Sequence, residues 1–488
     1  MKDMFKTEDW WALWIGLFLF ALSLGVALVG VDLLGWAIST REWLDVTKAT
    51  APASQFYEKD LKLPGVASLG LTYVFLCAVL GVGAAVLGFN LRRFLLGFTV
   101  IYFLSYACWL AGHFAYIAAT PNNQAKFKIG WSLGLTGEAG YLIALVAGLA
   151  IGNLLPGVAN WLKEATRPEW FIKTAIVLLG GWFALKAVQT QGQRELYQKV
   201  MLRGFAAIIE AYLIYWALVY FIARKYFGFS REWAAPLASG ISICGVSAAI
   251  ATGGAIRARP IVPIMVSSLV VIFSVVELLL LPFLAQTFLA HEPMVAAAWM
   301  GLAVKTDGAA VASGAITESL IYASAARGGV VYDPGAMLFA TTMVKVFIDI
   351  FIGIWAFILA LVWAYGIRKD TEPKVSVVEI WERFPKFVLG YFLTFGIILA
   401  LGLTATSSGL IKALQTGTEE TDAFRRLFFV MTFFTIGLVS DFKKLWAEGI
   451  GKLALVYVVS LFGFIIWIGL AISWIFFHGV MPPLKGGS

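Results

Sequence analysis

Long apolar runs follow one another along nearly the whole chain, and they decide the fold class before any other feature does. A helix that crosses a bilayer needs about 20 mostly apolar residues, and the sequence offers about thirteen such runs. They lie near residues 10–38, 66–89, 91–119, 131–153, 169–188, 201–223, 232–254, 260–290, 294–316, 334–366, 384–405, 423–440 and 450–478. Inside lipid every backbone N–H and C=O must be bonded within the protein, so such runs fold as helices. Of the 488 residues, 60% are hydrophobic and 14% charged, where soluble domains carry roughly a quarter charged residues. The expected fold is an all-α polytopic membrane protein with about 13 transmembrane helices. The run at 10–38 exceeds the roughly 7–15-residue core of a secretion signal and reads as a first transmembrane helix.

Several function classes drop out. The net charge of +8 comes from 37 Lys+Arg against 29 Asp+Glu, with most cations in short loops, so no nucleic-acid partner is expected. The three cysteines, Cys77, Cys108 and Cys244, all fall inside apolar runs without ligand spacing, so neither a metal nor another cofactor is expected. No nucleophile elbow, P-loop, zinc helix or dinucleotide fingerprint stands in a plausible context, so no enzyme is expected. Without an ATP-binding domain, any transport must be passive or driven by an ion gradient. Lys and Arg divide about evenly between the two sides of the runs, which leaves the membrane orientation open.

Residues 1–125 are aromatic-rich and read as accessory helices, a scaffold or dimer contact. Residues 126–488 are richer in Gly, Ser and Thr and read as the core. Within the core, 177–185 resembles 435–442, the mark of an inverted repeat, although Gly- and Leu-rich membrane helices also look alike.

Two runs are poor ordinary helices. One holds Ser239-Gly240-Ile241-Ser242-Ile243-Cys244-Gly245-Val246-Ser247, and the other Gly301 to Gly314 with Lys305-Thr306-Asp307-Gly308 and Ser313 inside it. Irregular backbone at bilayer depth is tolerated only against protein or a water-filled cavity. Broken helices there present half-helix N-termini, whose N–H groups attract anions. The bland alternative is close packing through small residues. In the second run a local unwinding would bring Lys305 and Asp307 to one cavity, since i,i+2 residues of a regular helix point apart.

Ionisable groups inside a membrane default to function because lipid exposure costs several kcal/mol. The set here is Lys173, Lys305, Lys345, Glu138, Glu210, Glu277, Asp307, Asp349 and His113. Three lysines suggest an anionic substrate. Lys173 could instead snorkel beside Glu169, Lys345 and Asp349 could neutralise each other at i,i+4, and His113 reads as a packed histidine near a helix end.

These motifs resemble the sulfate exporter family, the YeiH-type membrane proteins. Ser242-Ile243-Cys244-Gly245-Val246-Ser247-Ala248 is similar to its Ser-Ile-Cys-Gly-x-Ser/Ala-Ala signature. Phe171-Ile172-Lys173 with Leu178-Leu179-Gly180, the segment Gly301–Gly314, and Met343-Val344-Lys345-Val346 resemble three further family segments in the same order. The likeness covers about 130 to 370 well. It departs at Lys305-Thr306-Asp307, where the family has a histidine followed by an acid, so a fixed cation replaces a titratable one. The family in turn resembles the bile acid/arsenite/riboflavin transporter superfamily. That resemblance implies an inverted-repeat transporter core with two broken, crossing helices.

The combined expectation is a secondary active transporter of a small anion, sulfate or a related sulfur oxyanion or sulfonate, working by alternating access. It would be a multi-pass homodimer in a bacterial cytoplasmic (inner) membrane. Ser242, Cys244, Gly245, Ser247, Lys305, Thr306, Gly308, Ser313, Lys173 and Lys345 are the candidate substrate ligands. Asp307, Glu210, Glu277 and Asp349 are the candidate groups for coupling to H+ or Na+. The alternatives are a cation/proton antiporter of related architecture and a non-transporting membrane scaffold or sensor.

Overall fold

The computed structural model describes every residue except 1, 120–123, 125, 134, 136, 138, 190, 260, 369–377, 406, 441–450 and 486–488. In chain order the main helices are α1 (Glu8–Ala27), α2 (Gly65–Val86), α3 (Leu91–Gly112), α4 (Ala139–Leu154), α5 (Pro156–Leu162), α6 (Pro168–Gln189) and α7 (Gly192–Lys225). Then come α8 (Arg231–Ser242), α9 (Val246–Ala255), α10 (Ile261–Leu289), α11 (Pro293–Ala303), α12 (Asp307–Arg327) and α13 (Ala336–Ile367). The last three are α14 (Lys386–Leu403), α15 (Ser408–Val439) and α16 (Gly451–Phe477).

Among the described residues, 9 helices are long and apolar enough to cross a membrane, or 10 if α4 and α5, bent by 112°, form one span. The chain is thus a mostly helical, polytopic membrane protein. The remaining runs expected from the sequence are helical too, and each fails as a simple span for a visible reason. α8–α9 and α11–α12 are interrupted, and α15 carries Glu419, Glu420, Asp422, Arg425 and Arg426 in its middle.

The expected single helix over 10–38 needs correction. α1 is capped by Thr7, whose side chain accepts from the Trp10 N–H, and it ends at Ala27. The chain then turns at Gly30, with φ +82°, and at Asp32, which accepts from the Gly35 N–H at 3.0 Å. Beyond that turn lies an antiparallel hairpin of β1 (Ile38–Thr40) and β2 (Thr50–Pro52), in the register Ile38↔Pro52, Ser39↔Ala51, Thr40↔Thr50. It is pinned to α2 by the Ile38 N–H donating to Thr72 Oγ1 at 3.0 Å. Periodicity missed it because three-residue strands are too short to register.

Helix packing rests on small residues that let backbones approach. A Cβ on Gly148 of α4 would lie 2.1 Å from Phe434 O of α15, and one on Gly437 would lie 2.4 Å from Leu145 O. Gly180 of α6 meets Tyr391 O of α14 in the same way, at 2.3 Å. α1 joins this packing directly. Ser23 donates to Gly417 O of α15 at 2.9 Å and also to Glu420, and Asp9 accepts from the Lys386 N–H of α14 at 2.5 Å. His113 caps the end of α3 with Nδ1 2.8 Å from Trp109 O, a packed histidine.

Candidate functional site

The interruptions in α8–α9 and α11–α12 are short and they touch. α8 stops at Ser242, where Ile243 takes up φ −107°, ψ −97°, and Gly245 turns the chain into α9 with φ +64°. Only glycine adopts that conformation readily. α11 stops at Ala303, Val304 and Thr306 are extended, and α12 starts at Asp307. A Cβ on Gly245 would stand 3.0 Å from Thr306 Cγ2 and 3.5 Å from Lys305 O. The breaks foreseen in both runs are therefore present and packed against each other. The second falls just before Asp307 rather than at Gly308, and its trailing half runs on to Arg327 instead of ending near 316.

A third helix ties the breaks together. Lys345 of α13 donates from Nζ to Ile243 O at 2.7 Å and to Lys305 O at 3.0 Å. The same ammonium lies 3.9 Å from Asp307 Oδ1. Cys244 Sγ and carboxylate oxygens of Asp307 and Asp349 all lie within 4.8 Å of one another. Among the described residues this is the one group with the composition and proximity to ligate a cation. Asp307 Oδ1 and both oxygens of Asp349 have no hydrogen-bond partner, although these residues are only 3% and 1% exposed.

Lys305 faces a different set of groups. Its ammonium donates to Leu302 O and lies 4.6 Å over the Tyr215 ring. Its N–H donates to Glu277 Oε2 at 2.9 Å, and Glu277 Oε1 accepts from Tyr457 at 2.6 Å. Glu210 opens a π-helical turn, Glu210–Tyr215, inside α7, and its carboxyl faces the Tyr215 hydroxyl with no hydrogen bond of ordinary length. Lys305 and Asp307 thus do not share one cluster as the unwinding argument expected. The cation paired with Asp307 is Lys345, and Asp349 shows no ion pair with Lys345 within 4.0 Å.

The other candidates scatter by role. Ser242 is buried with an unpartnered Oγ, and Ser247 is half-buried at the start of α9. Thr306 caps α12 by accepting from the Ala309 N–H at 3.4 Å, and its own N–H donates to Ser274 Oγ at 3.3 Å. Gly308 packs against Ile436, Thr432 and Ile172. Ser313 donates to Ala310 O within its own helix at 2.7 Å. Lys173 is paired with Asp9 at 3.3 Å and Glu169 at 3.5 Å. Glu138 lies outside the described residues, as does the end of the 435–442 segment. Sequence reasoning missed Asp9, Ser274, Tyr215 and Tyr457, which complete the network from other helices. It also missed an ion cluster on α15, where the buried Arg425 and the exposed Arg426 reach Asp422 at 2.5 and 2.7 Å. A cavity of about 1010 Å³ lies between the hairpin loops and α15, lined by Asp32, Asp60, Lys59, Lys412, Glu419 and Glu420 among others. None of its lining residues belongs to the breaks.

The family model for conserved hypothetical protein 698 matches residues 134–456, the stretch that holds both breaks. A UPF0324 membrane protein of Nitrosomonas europaea is 41% identical over 487 residues, covering 99% of this chain and 98% of its own. An uncharacterized protein of Archaeoglobus fulgidus is 52% identical over 169 residues, 30% of this chain and 90% of its own. A UPF0324 membrane protein of Nitratidesulfovibrio vulgaris is 26% identical over 434 residues, covering 86% of this chain and 65% of its own. No solved structure matches.

Proposed function

The chain belongs to the conserved hypothetical protein 698 family of UPF0324 membrane proteins, and on that premise we propose a secondary active transporter of a small anion. Sulfate, or a related sulfur oxyanion or sulfonate, is the substrate class, following the sequence likeness to the sulfate exporter family. The observation that carries the reading is Lys345 bridging two touching helix breaks. Half-helix N-termini that meet inside a membrane protein are built to hold an anion, and repeat-against-repeat movement then gives alternating access. The start of α9 is the better candidate end. Its cap residue Gly245 offers no side chain to satisfy the first N–H groups, and the buried Ser242 hydroxyl nearby in sequence is free. α12 is capped by Thr306 and carries Asp307 in its first turn. In this reading Lys345 and Lys305 supply countercharge, and Lys173, held by Asp9 and Glu169, is a peripheral cation. Thirteen crossings, an inverted-repeat core, a homodimer and a bacterial inner-membrane location complete the proposal, with no enzymatic step.

A second reading is favoured by one specific observation. Four buried carboxylates, Asp307, Asp349, Glu210 and Glu277, stand around two lysines, as a cation/proton antiporter would require. Labelled-sulfate exchange in proteoliposomes separates the two. Wild type is compared with Lys305→Ala, with and without a pH gradient, and with unlabelled sulfite, alkyl sulfonate and carboxylates as competitors. The proposal expects saturable sulfate exchange that the substitution abolishes. Proton or sodium movement with no anion requirement would transfer the assignment to the antiporter.

A further inference from the structure

We propose that the crossing carries two exchangeable protons, one on Asp349 and one on Glu210, while Lys345 and Lys305 occupy the places a coupling sodium would take. The use of these protons rests on the transport reading; their presence does not.

The charges around the breaks fall into two groups of the same make-up. One holds Asp307, Asp349 and Lys345; the other holds Glu210, Glu277 and Lys305. All six residues are at most 3% exposed. In each group one carboxylate is engaged. Asp307 has Lys345 at 3.9 Å, and Glu277 has the Lys305 N–H and the Tyr457 hydroxyl. In each group the other carboxylate has no hydrogen-bond partner at ordinary distance, Asp349 facing the Asp307 carboxyl and Glu210 facing the Tyr215 hydroxyl. The donors nearby are already committed. Tyr215, beside Glu210, donates to Ile465 O at 2.9 Å. Tyr212, an electrostatic neighbour of Asp349, donates to Ile348 O at 2.6 Å. An ionised carboxylate in such a place carries a desolvation penalty of several kcal/mol. A carboxyl kept neutral by a proton avoids it, and at the first site the Asp307 carboxylate, within 4.8 Å of Asp349, favours that state further. Besides Asp307 and Lys345, the groups that act on Asp349 are Lys173, Cys244 and Tyr212. Those acting on Glu210 are Lys305 and Tyr215.

The same geometry disfavours sodium. Sodium in broken-helix transporters is coordinated by carbonyls of unwound backbone. Three carbonyls at these breaks, those of Ile243, Lys305 and Leu302, already accept from lysine ammoniums. A tethered cation leaves those oxygens unavailable to a free one. Residue 305 also joins the groups, its N–H bonded to Glu277 and its C=O to Lys345. Movement of the second break therefore disturbs both proton sites together.

Infrared difference spectroscopy of the purified protein in lipid, with the pH stepped, tests this without any substrate. Wild type should show two protonated-carboxyl components that disappear as the pH rises. Asp349→Asn should remove one and Glu210→Gln the other, and replacing sodium with choline should shift neither. Protonated-carboxyl components that survive both substitutions, or none at any pH, would overturn the proton sites. A sodium-dependent shift would overturn the tethered-cation assignment. Both components present in a protein that moves no sulfate would uphold this inference and remove the anion reading; sulfate flux without them would do the reverse.

Discussion

The ammonium of Lys345 lies 2.7 Å from the carbonyl oxygen of Ile243, so a helix about a hundred positions further along closes the first break. The same nitrogen reaches Lys305 O in the second break and pairs with Asp307. One side chain therefore bonds to both breaks.

Removing that side chain leaves two carbonyls and a carboxylate without their cation. Lys345→Met is expected to lower stability by about 3–5 kcal/mol, the usual cost of breaking a buried ion pair from one side. Thermal unfolding in detergent checks this, and a melting point equal to wild type would contradict it.

Gly245 is required by both its φ of +64° and its neighbours, since a Cβ would stand 2.9 Å from Val270 and 3.0 Å from Thr306. Gly245→Ala should cost about 1–3 kcal/mol through backbone strain. Gly396, whose added Cβ would meet nothing within 4 Å, is the control. Gly396→Ala should leave the melting point unchanged or slightly higher.

α4 and α15 approach through Gly148 and Gly437. Gly148→Val should force them apart and cost at least the ~1–3 kcal/mol typical of overpacking. Gly157→Val, at a position whose added Cβ meets nothing within 4 Å, should not destabilise through packing. Parallel unfolding measurements on the two variants decide the matter.

If two protons accompany one sulfate dianion, the cycle moves no net charge. Sulfate flux in proteoliposomes should then respond to a pH gradient and not to a potassium-diffusion potential. Flux that follows the potential would contradict the two-proton count.

The sequence was legible where a rule is strong. Long apolar runs identify helices, and the concentration of Gly and Ser around Cys244 and of Gly, Lys and Asp around residue 305 located both breaks. The buried lysines and acids stood out because membranes tolerate few of them. Pairing was not legible. Lys305 and Asp307 are neighbours in sequence yet belong to different clusters, because the extended Val304–Thr306 segment separates them and Lys345 arrives from α13. The contacts of Asp9 with Lys173 and Lys386 link α1 to α6 and α14, and no local pattern announces such long-range pairs. The 38–52 hairpin was hidden by its short strands.

On the proposed transport cycle the two breaks bind an anion and open to solvent in turn. Cys244 lies in the first break and is only 3% exposed. With Cys77→Ser and Cys108→Ser in place, its rate of modification by a small charged methanethiosulfonate reagent reports on that site directly. The account predicts slow but measurable labelling that sulfate, sulfite or an alkyl sulfonate suppresses in a saturable way. Labelling that none of these anions alters would contradict it.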